Sequence, residues 1–224
     1  MPGLLGRTAT ISSGFVPSGS PVGWWKADAI TGLEDGDPVG TWPDSSGNGN
    51  DLTQSIASKK PTYYVNVKNG LPGVKGDAAI YPGYMVCTVS LTQPKSIFVV
   101  ARSGGIISSG GYRKYVSGFT VGAYGSGGNK NLLYLLDDSL LWNTDTALPN
   151  DHMFYGLANG ANSEIRYNGS TVVTGNAGTA GNDFTELWWN IVGASMYIFE
   201  CVLYDNNESP SDNESGLNDK WAVY

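Results

Sequence analysis

Two stretches at opposite ends of the chain decide its fold. Residues 22–51 read VGWWKADAITGLEDGDPVGTWPDSSGNGND, and residues 196–205 read MYIFECVLYD. The first combines an aromatic strand with a turn of Asp, Ser, Gly and Asn, and the second is an apolar strand. Because these strands are so far apart in sequence, we expect a β-sandwich whose first and last strands meet.

Composition predicts a single all-β domain. Of the 224 residues, 41% are hydrophobic and 12% aromatic, which is enough for a large core, and 31 are glycines, which indicates many turns. All-β sandwiches commonly form one domain at about this length. We therefore predict an extended N-terminal arm over residues 1–21 and one domain over residues 22–224.

The charge of the chain argues against two classes of partner. Its formal charge is −7, and its lysines and arginines form no cluster. Nucleic-acid phosphates and anionic membrane surfaces are bound by clustered basic residues. The chain also lacks an apolar run of the length that spans a membrane and a signal-like leader. We expect no nucleic acid, no membrane partner and no Sec-dependent export.

Strand-like segments recur along the chain with Gly, Asn, Ser or Pro between them, as in a sandwich. The predicted strands are 23–28, 62–66, 85–91, 96–102, 115–124, 132–137, 153–159, 164–167, 171–174, 186–192 and 197–204. The segments SIFVVAR (96–102) and MYIFECVLY (196–204) are nearly continuous apolar runs. They are predicted to lie at the centre of a sheet that is covered on both faces.

One hairpin and one helix are predicted from local signals. Asn168-Gly169 lies between two strand-like runs and favours a type I′ turn, because both central residues need positive φ. Ser211 and Glu214 form a capping box at the start of a C-terminal helix. Leu217 and Trp221 then supply an apolar side that we expect to close one end of the sandwich.

The two cysteines, Cys87 and Cys201, lie in apolar strand-like runs. A chain of this size has no need of a disulfide to stabilise its core. We predict two buried free thiols, with a disulfide as the alternative.

The order of several motifs resembles a known family. They are WWKADAI (24–30), WPDSSGNGND (42–51), KPTYYVN (60–66), NGLPGVKGD (69–77), SIFVVAR (96–102) and, over 199–221, FECVLYDNNESPSDNE followed by DKW. This order is similar to the laminin-G-like group of the concanavalin A-like lectin/glucanase superfamily. The resemblance implies a two-sheet antiparallel jelly-roll sandwich with a short C-terminal helix. It also implies a binding or structural module, of a kind frequent in virion proteins of tailed phages.

The residues argue against catalysis. Glucanases of that superfamily place carboxylates in a Glu-x-Asp-x-(x)-Glu strand, and no strand of this chain has that pattern. The only histidine, His152, stands in what reads as a turn entering a strand, so it is a poor candidate for a catalytic triad. We predict a non-catalytic protein, with a divergent glycoside hydrolase as one alternative.

A calcium site is the alternative interpretation of the Asp-rich turn. Asp28, Asp44, Asn48 and Asn50 offer the oxygen ligands that Ca²⁺ prefers. Asp and Asn in turns more often hydrogen-bond their own backbone, and that interpretation needs no ion. We expect no cofactor, with calcium as the alternative.

Glycan binding is the activity that this fold suggests. Trp142, Asn143, Asp145 and Tyr112 lie in or next to Gly- or Ser-rich segments, where a ring can stack on a sugar while polar side chains bind its hydroxyls. Core packing is the alternative for Trp142.

The N-terminal arm predicts attachment to a particle. It is built of small residues, with Leu4, Leu5, Ile11, Phe15 and Val16 as candidate anchors in the groove of a partner. The predicted function is therefore a virion surface protein of a tailed phage, a head decoration or fibre component present in many copies or as a homo-oligomer. It would adhere to cell-surface glycans, and a stand-alone carbohydrate-binding module is the runner-up.

Overall fold

The computed structural model describes residues 14–76, 83–103, 112–118, 120–127, 130–142, 151–191 and 196–224. Leu4, Leu5, Ile11, Asn143 and Asp145 lie outside these ranges. The strands are β1 (Gly23–Lys26), β2 (Thr41–Trp42), β3 (Leu52–Thr53), β4 (Thr62–Lys68), β5 (Leu71–Gly76), β6 (Gly83–Val89), β7 (Lys95–Ser103), β8 (Tyr112–Gly118), β9 (Thr120–Gly127), β10 (Lys130–Leu136), β11 (Leu140–Trp142), β12 (Asp151–Ala158), β13 (Ser163–Tyr167), β14 (Ser170–Gly175), β15 (Phe184–Ile191) and β16 (Met196–Tyr204). The helix α1 spans Pro210–Trp221, and short 3-10 helices span Ala27–Ala29 and Ala57–Lys59.

The strands form two antiparallel sheets, which confirms the predicted all-β sandwich. Sheet A has the order β14-β13-β12-β7-β16-β5-β4, with β1 also paired to β16. Sheet B has the order β11-β10-β9-β8-β15-β6-β3-β2. No helix among the described ranges is long and apolar enough to cross a membrane.

The predicted meeting of the first and last strands is confirmed. β1 pairs antiparallel with β16, with Trp24 opposite Val202 and Trp25 opposite Cys201. The two tryptophans point to opposite faces because side chains alternate along a strand. Trp25 lies in the core between the sheets, where its ring stacks on Phe184 of sheet B at 5.1 Å.

Both faces of the central strands of sheet A are buried, as their apolar runs predicted. Alternate residues such as Val99 and Leu203 face sheet B, whereas Phe98 and Tyr204 belong to a second apolar cluster on the outer face. Helix α1 covers that outer face, and its Trp221 stacks on Phe199 at 4.9 Å. The expectation that the helix closes one end of the sandwich was therefore wrong. The physical reason is that the outer face of sheet A carries its own apolar side chains, and Leu217 and Trp221 of the helix pack into that cluster.

The helix also begins differently from the predicted capping box. Ser209 is the N-cap and makes no side-chain cap hydrogen bond, and Pro210 occupies the first turn. Glu214 instead accepts two hydrogen bonds of 2.9 Å from the guanidinium of Arg166. A bidentate, charge-assisted pair is stronger than a neutral cap, so Glu214 joins the helix to sheet A.

Other local predictions have clear outcomes. Asn168 and Gly169 both have positive φ, as the type I′ turn between β13 and β14 requires. The single strand predicted over residues 115–124 is instead the antiparallel pair β8 and β9, because strand periodicity does not reveal where one strand ends and a similar strand begins. Cys87 and Cys201 are free thiols, as predicted, but only Cys201 is buried and Cys87 is partly exposed. Burial and the nearby Asp44 and Asp51 raise the pKa of Cys87 to about 11.

Candidate functional site

An exposed apolar surface lies on the hairpin formed by β10 and β11, at one edge of sheet B. Tyr134 pairs with Trp142 and Leu136 pairs with Leu140, so these four side chains share one face. The alternate residues Leu133, Leu135 and Leu141 are buried between the sheets. Trp142 is 54% exposed and Leu140 is 50% exposed. We call Tyr134, Leu136, Leu140 and Trp142 the hairpin platform.

In the turn that joins β10 to β11, three backbone N–H groups donate to one carbonyl oxygen. The backbone N–H groups of Asp137, Asp138 and Ser139 donate to Ala177 O at 3.0, 3.2 and 3.0 Å. The backbone N–H of Thr179 donates in return to the carboxylate of Asp138 at 2.8 Å. These bonds fix the hairpin against the loop before β15.

A buried ion pair between Lys95 and Asp137 also stabilises this turn. Nζ of Lys95 lies 2.9 Å from Oδ1 of Asp137, and both side chains are completely buried. Lys95 also donates to the carbonyl of Asn182 at 2.7 Å, and the amide of Gln93 donates to Asp137 and to the carbonyl of Gly178. Such a network is stable in only one geometry, because any unpaired member would be left desolvated. The hairpin platform therefore has a rigid support.

The platform combines the features of a stacking surface. Aromatic and aliphatic side chains share one face of the hairpin, while Asp138 and Ser139 are exposed in the adjoining turn. A sugar has the complementary surface, with apolar C–H faces and polar hydroxyl groups. Contiguous apolar side chains on a surface are also typical of binding sites.

Sequence reasoning found one residue of this surface and missed its neighbours. Trp142 is exposed and is the last residue of β11. Tyr112 begins β8, three strands away in sheet B; its side chain, with Asn143 and Asp145, lies outside what the structure describes. Tyr134, Leu136 and Leu140 were missed because only the register of β10 with β11 brings them beside Trp142.

The Asp-rich turn is held by its own hydrogen bonds. The carboxylate of Asp44 accepts from the backbone N–H of Trp24, Ser46 and Asn50 at 2.9, 2.8 and 3.0 Å, and from the Ser46 hydroxyl at 2.7 Å. The amides of Asn48 and Asn50 donate to the carbonyls of Pro21 and Val22. These contacts agree with the interpretation that the turn bonds its own backbone.

The other predicted calcium ligand lies in a buried charged cluster. Oδ1 of Asp28 accepts a hydrogen bond of 2.9 Å from Nζ of Lys220. Lys220 also donates to Glu200 at 2.8 Å, and Glu200 is fully buried. Asp28 and Asp44 therefore have different partners. Within the described ranges, no three His, Cys, Asp or Glu side chains are grouped to hold a metal ion.

The described part of the arm contacts its own chain. The ring of Phe15 packs edge-on against Trp24 at 6.3 Å and lies over Gly216 of the helix. The backbone of Ser18 donates to Asn213 at 2.9 Å and accepts from the Tyr204 hydroxyl at 2.8 Å. Phe15, predicted as an anchor for a partner, therefore packs within the molecule, whereas Val16 is 72% exposed.

The only histidine is buried inside the sandwich. His152 lies in β12, where its ring stacks on that of Tyr167 at 5.6 Å. It does not stand in the turn that the sequence suggested. Its burial supports a structural role, because a catalytic base must be accessible to a substrate.

A shallow cavity of about 320 Å³ lies at the opposite edge of sheet B, beside Gly40, Ile56, Tyr84 and Val86. The buried side chain of Gln54 forms its polar wall. That amide donates to the carbonyl of Tyr84 at 2.8 Å and accepts from the backbone of Ile56 at 2.9 Å. Because these polar atoms are already paired, the hairpin platform is the better candidate site.

No protein-family model matches the chain, and no curated protein sequence matches it. Several solved structures are similar to it in fold. The receptor-binding domain of botulinum neurotoxin D has a TM-score of 0.61 at 11% identity, covering 88% of this chain and 52% of that chain. A structure of botulinum neurotoxin type C, whose cell entry depends on interaction with two ganglioside molecules, has a TM-score of 0.58 at 15% identity, covering 89% and 51%.

A Trypanosoma rangeli sialidase in complex with sialic acid also matches, with a TM-score of 0.54 at 11% identity, covering 91% of this chain and 33% of that chain. The chain thus spans about half the length of the toxin structures and a third of the sialidase. At these identities the similarity establishes the shared β-sandwich fold.

Proposed function

We propose that this chain is a non-catalytic glycan-binding module and that the hairpin platform is its binding surface. The observation that carries the proposal is the exposure of Trp142 beside Tyr134 and Leu140 on one face of a rigid hairpin. Exposing a large ring to water is unfavourable unless a partner covers it. A sugar ring fits because its C–H face stacks on the indole.

The structural neighbours support this class of ligand. Botulinum neurotoxin type C, the ligand-binding domain of botulinum neurotoxin D and a sialidase that is similar over a third of its length are described with gangliosides or sialic acid. The shared fold alone does not assign a ligand to this chain. The proposal therefore rests on the platform, and the neighbours make the glycan the ligand class to test first.

The contacts of Glu200 and His152 support a binding role over hydrolysis. Glu200 is buried and accepts hydrogen bonds from three side chains, and His152 is buried against Tyr167. A glycosidase needs two carboxyl groups that reach the substrate. Turnover of a β-glucan or a sialoside by the purified protein would support the alternative of a divergent hydrolase.

The virion setting stays a prediction that rests on the sequence resemblance. A protein of that kind would carry the glycan-binding surface outward on a phage particle, attached to a capsid or tail protein through the N-terminal arm. Immunogold labelling of intact particles tests this setting. A stand-alone module would bind glycans but leave particles unlabelled.

A glycan array with three proteins tests the binding surface. Trp142→Ala should lose binding relative to the wild type, while Tyr224→Ala should retain it. Tyr224 is the matched control because it is 52% exposed but follows helix α1. Both variants should fold normally, since surface substitutions usually change stability by about 0.5 kcal/mol or less. Equal binding by Trp142→Ala and the wild type would overturn the proposed surface.

A further inference from the structure

The buried pair of Lys95 and Asp137 connects the two sheets of the sandwich. Lys95 begins β7 of sheet A, and Asp137 directly follows β10 of sheet B. Nζ of Lys95 lies 2.9 Å from Oδ1 of Asp137, and both side chains are completely buried. An amine and a carboxyl group are therefore held next to each other, and such proximity accelerates a reaction between two groups.

The buried position favours proton transfer within this pair. Two buried charges lose the hydration that stabilises them in water. When a proton passes from the ammonium to the carboxylate, a neutral amine and a neutral carboxylic acid remain, and neither carries the full penalty of a buried ion. These are also the reactive forms, because a neutral amine has a lone pair with which it can attack a carbonyl carbon.

A second buried pair, Lys220 with Glu200, is stabilised in its charged form instead. Two indole N–H groups also donate to Glu200, and Asp28 places a second carboxylate on Lys220. Proton transfer to Glu200 would weaken all of these contacts. Asp137, in contrast, accepts from the neutral side-chain amide of Gln93. The surroundings of the two pairs therefore oppose proton transfer to different degrees.

The neighbours of Lys95 and Asp137 match the polar atoms of an amide. Nζ of Lys95 donates to the carbonyl of Asn182 at 2.7 Å. The amide of Gln93 donates to Oδ2 of Asp137, whereas Oδ1 is the oxygen 2.9 Å from Nζ. An amide formed between the two side chains keeps its N–H on Asn182 and its oxygen on Gln93. Both polar atoms of the product are thus hydrogen-bonded in place, as buried polar groups require.

We propose that Lys95 and Asp137 form an isopeptide bond, a covalent cross-link between the two sheets. A proton passes from Nζ to Oδ1, and the nitrogen lone pair attacks Cγ to form the N–Cγ bond. The negative charge that develops on Oδ2 is stabilised by the amide of Gln93. A second proton passes from Nζ to Oδ1, the Cγ–Oδ1 bond breaks, and Oδ1 leaves as water. The reaction needs no other reactant.

The bond fixes the support of the hairpin platform to sheet A. It closes a covalent ring over residues 95–137, which includes β7, β8, β9 and β10. A cross-link of this kind restricts the unfolded chain, as a disulfide does. The bond forms whether or not the platform binds a glycan.

Intact mass spectrometry of the full chain tests the bond. The folded protein should be lighter than its sequence by one water, and a protease digest should contain a branched peptide that joins Lys95 to Asp137. Chain that is isolated in urea before it folds should have its full mass and should lose water only after refolding, because the reaction needs the folded geometry. Full mass after prolonged incubation of the folded protein would overturn the proposal.

The position of the water loss separates the bond from another reaction of aspartate. An aspartate side chain that is followed by glycine also loses water when the next backbone nitrogen closes on it to give a succinimide, and Asp35-Gly36 is such a pair. Hydroxylamine cleaves the succinimide but leaves the isopeptide bond intact. A water loss that maps to Asp35, with no branched peptide, would contradict the proposal.

Variants of three residues test the chemistry. Lys95→Arg keeps a cation but no amine, so it should have its full mass; a water loss at Asp137 in this variant would overturn the proposal. Gln93→Met should slow formation by about 10²–10³-fold, the usual effect of removing one donor to a developing oxyanion. Gln54→Met is the matched control, because it also removes a side-chain amide that donates to a backbone carbonyl, and it should react at the wild-type rate. Equal rates in the two amide variants would contradict the mechanism.

Discussion

The indole N–H of Trp24 donates a hydrogen bond of 2.6 Å to the carboxylate of Glu200, joining the first strand of the sandwich to the last. The other carboxylate oxygen accepts from Lys220 and from the indole of Trp221, both at 2.8 Å. Glu200 is fully buried and Lys220 almost fully. One carboxylate thus joins β1, β16 and the C-terminal helix.

Glu200→Ala should destabilise the fold by about 3–5 kcal/mol, the usual effect of removing one partner of a buried ion pair. The variant leaves Lys220 paired with Asp28 and leaves the indole N–H groups of Trp24 and Trp221 without their acceptor. Urea unfolding followed by tryptophan fluorescence measures the loss. Glu34→Ala, at an exposed position, is the control. A loss below about 1 kcal/mol would contradict the role assigned to Glu200.

Trp221→Ala should cost about 3–5 kcal/mol of stability, as truncation of a buried aromatic residue does. Trp221 is completely buried and stacks on Phe199, so the change opens a cavity between helix and sheet. Thermal unfolding of Trp221→Ala and Tyr224→Ala provides the comparison. Similar melting temperatures would show that the helix contributes little cover to sheet A.

Deletion of residues 1–20 should be more destabilising than deletion of residues 1–13, by about 1–3 kcal/mol. The longer deletion removes Phe15 from Trp24 and removes the hydrogen bonds of Ser18 to Asn213, Glu208 and Tyr204. Differential scanning calorimetry of the two products measures the difference. Equal stabilities would support the domain boundary at residue 22 that the sequence predicts.

Asp44→Ala should lower the free energy of unfolding by about 2–4 kcal/mol, because four hydrogen bonds to one carboxylate are lost. Asn48→Ala in the same exposed loop should lose about 1 kcal/mol or less. If the turn needs no ion, the melting temperature of the wild type should not change with calcium or chelator. A rise with calcium that Asp44→Ala abolishes would favour the metal site.

The stability supplied by Asp151 should disappear in acid. Burial acts to raise the pKa of Asp151, but hydrogen bonds and charges from Arg102 and Lys68 lower it overall. A carboxyl group whose pKa is lower in the folded state than in the unfolded state stabilises the folded state at pH values above about 3.9, the ordinary pKa of Asp. This contribution is lost as the pH falls through the pKa of the folded state.

Asp151→Asn should therefore be less stable than the wild type at pH 7, and the difference should narrow below roughly pH 4. Chemical denaturation across this pH range measures the difference. Asp212→Asn, exposed in the first turn of the helix, should show no such convergence. A difference that is constant with pH would mean that the ion pairs contribute nothing.

The sequence by itself determined most of the strands and much of their burial, but it missed β2, β3, β5 and β11. Strand periodicity, the Asn168-Gly169 turn and the apolar runs at 96–102 and 196–204 depend on neighbours along the chain, and local propensity and patterning report such neighbours directly. The pairing of the first and last strands was also predictable, because the first strand is marked by its aromatic residues and the last by its long apolar run.

Only the tertiary structure decided what covers sheet A and which side chains meet on its surfaces. Glu214 binds Arg166 because the helix lies across the sheet, a placement that a capping motif does not encode. The hairpin platform depends on the register of β10 with β11. A shift of one residue would turn each side chain to the other face, so register belongs to the packed molecule and not to any single segment.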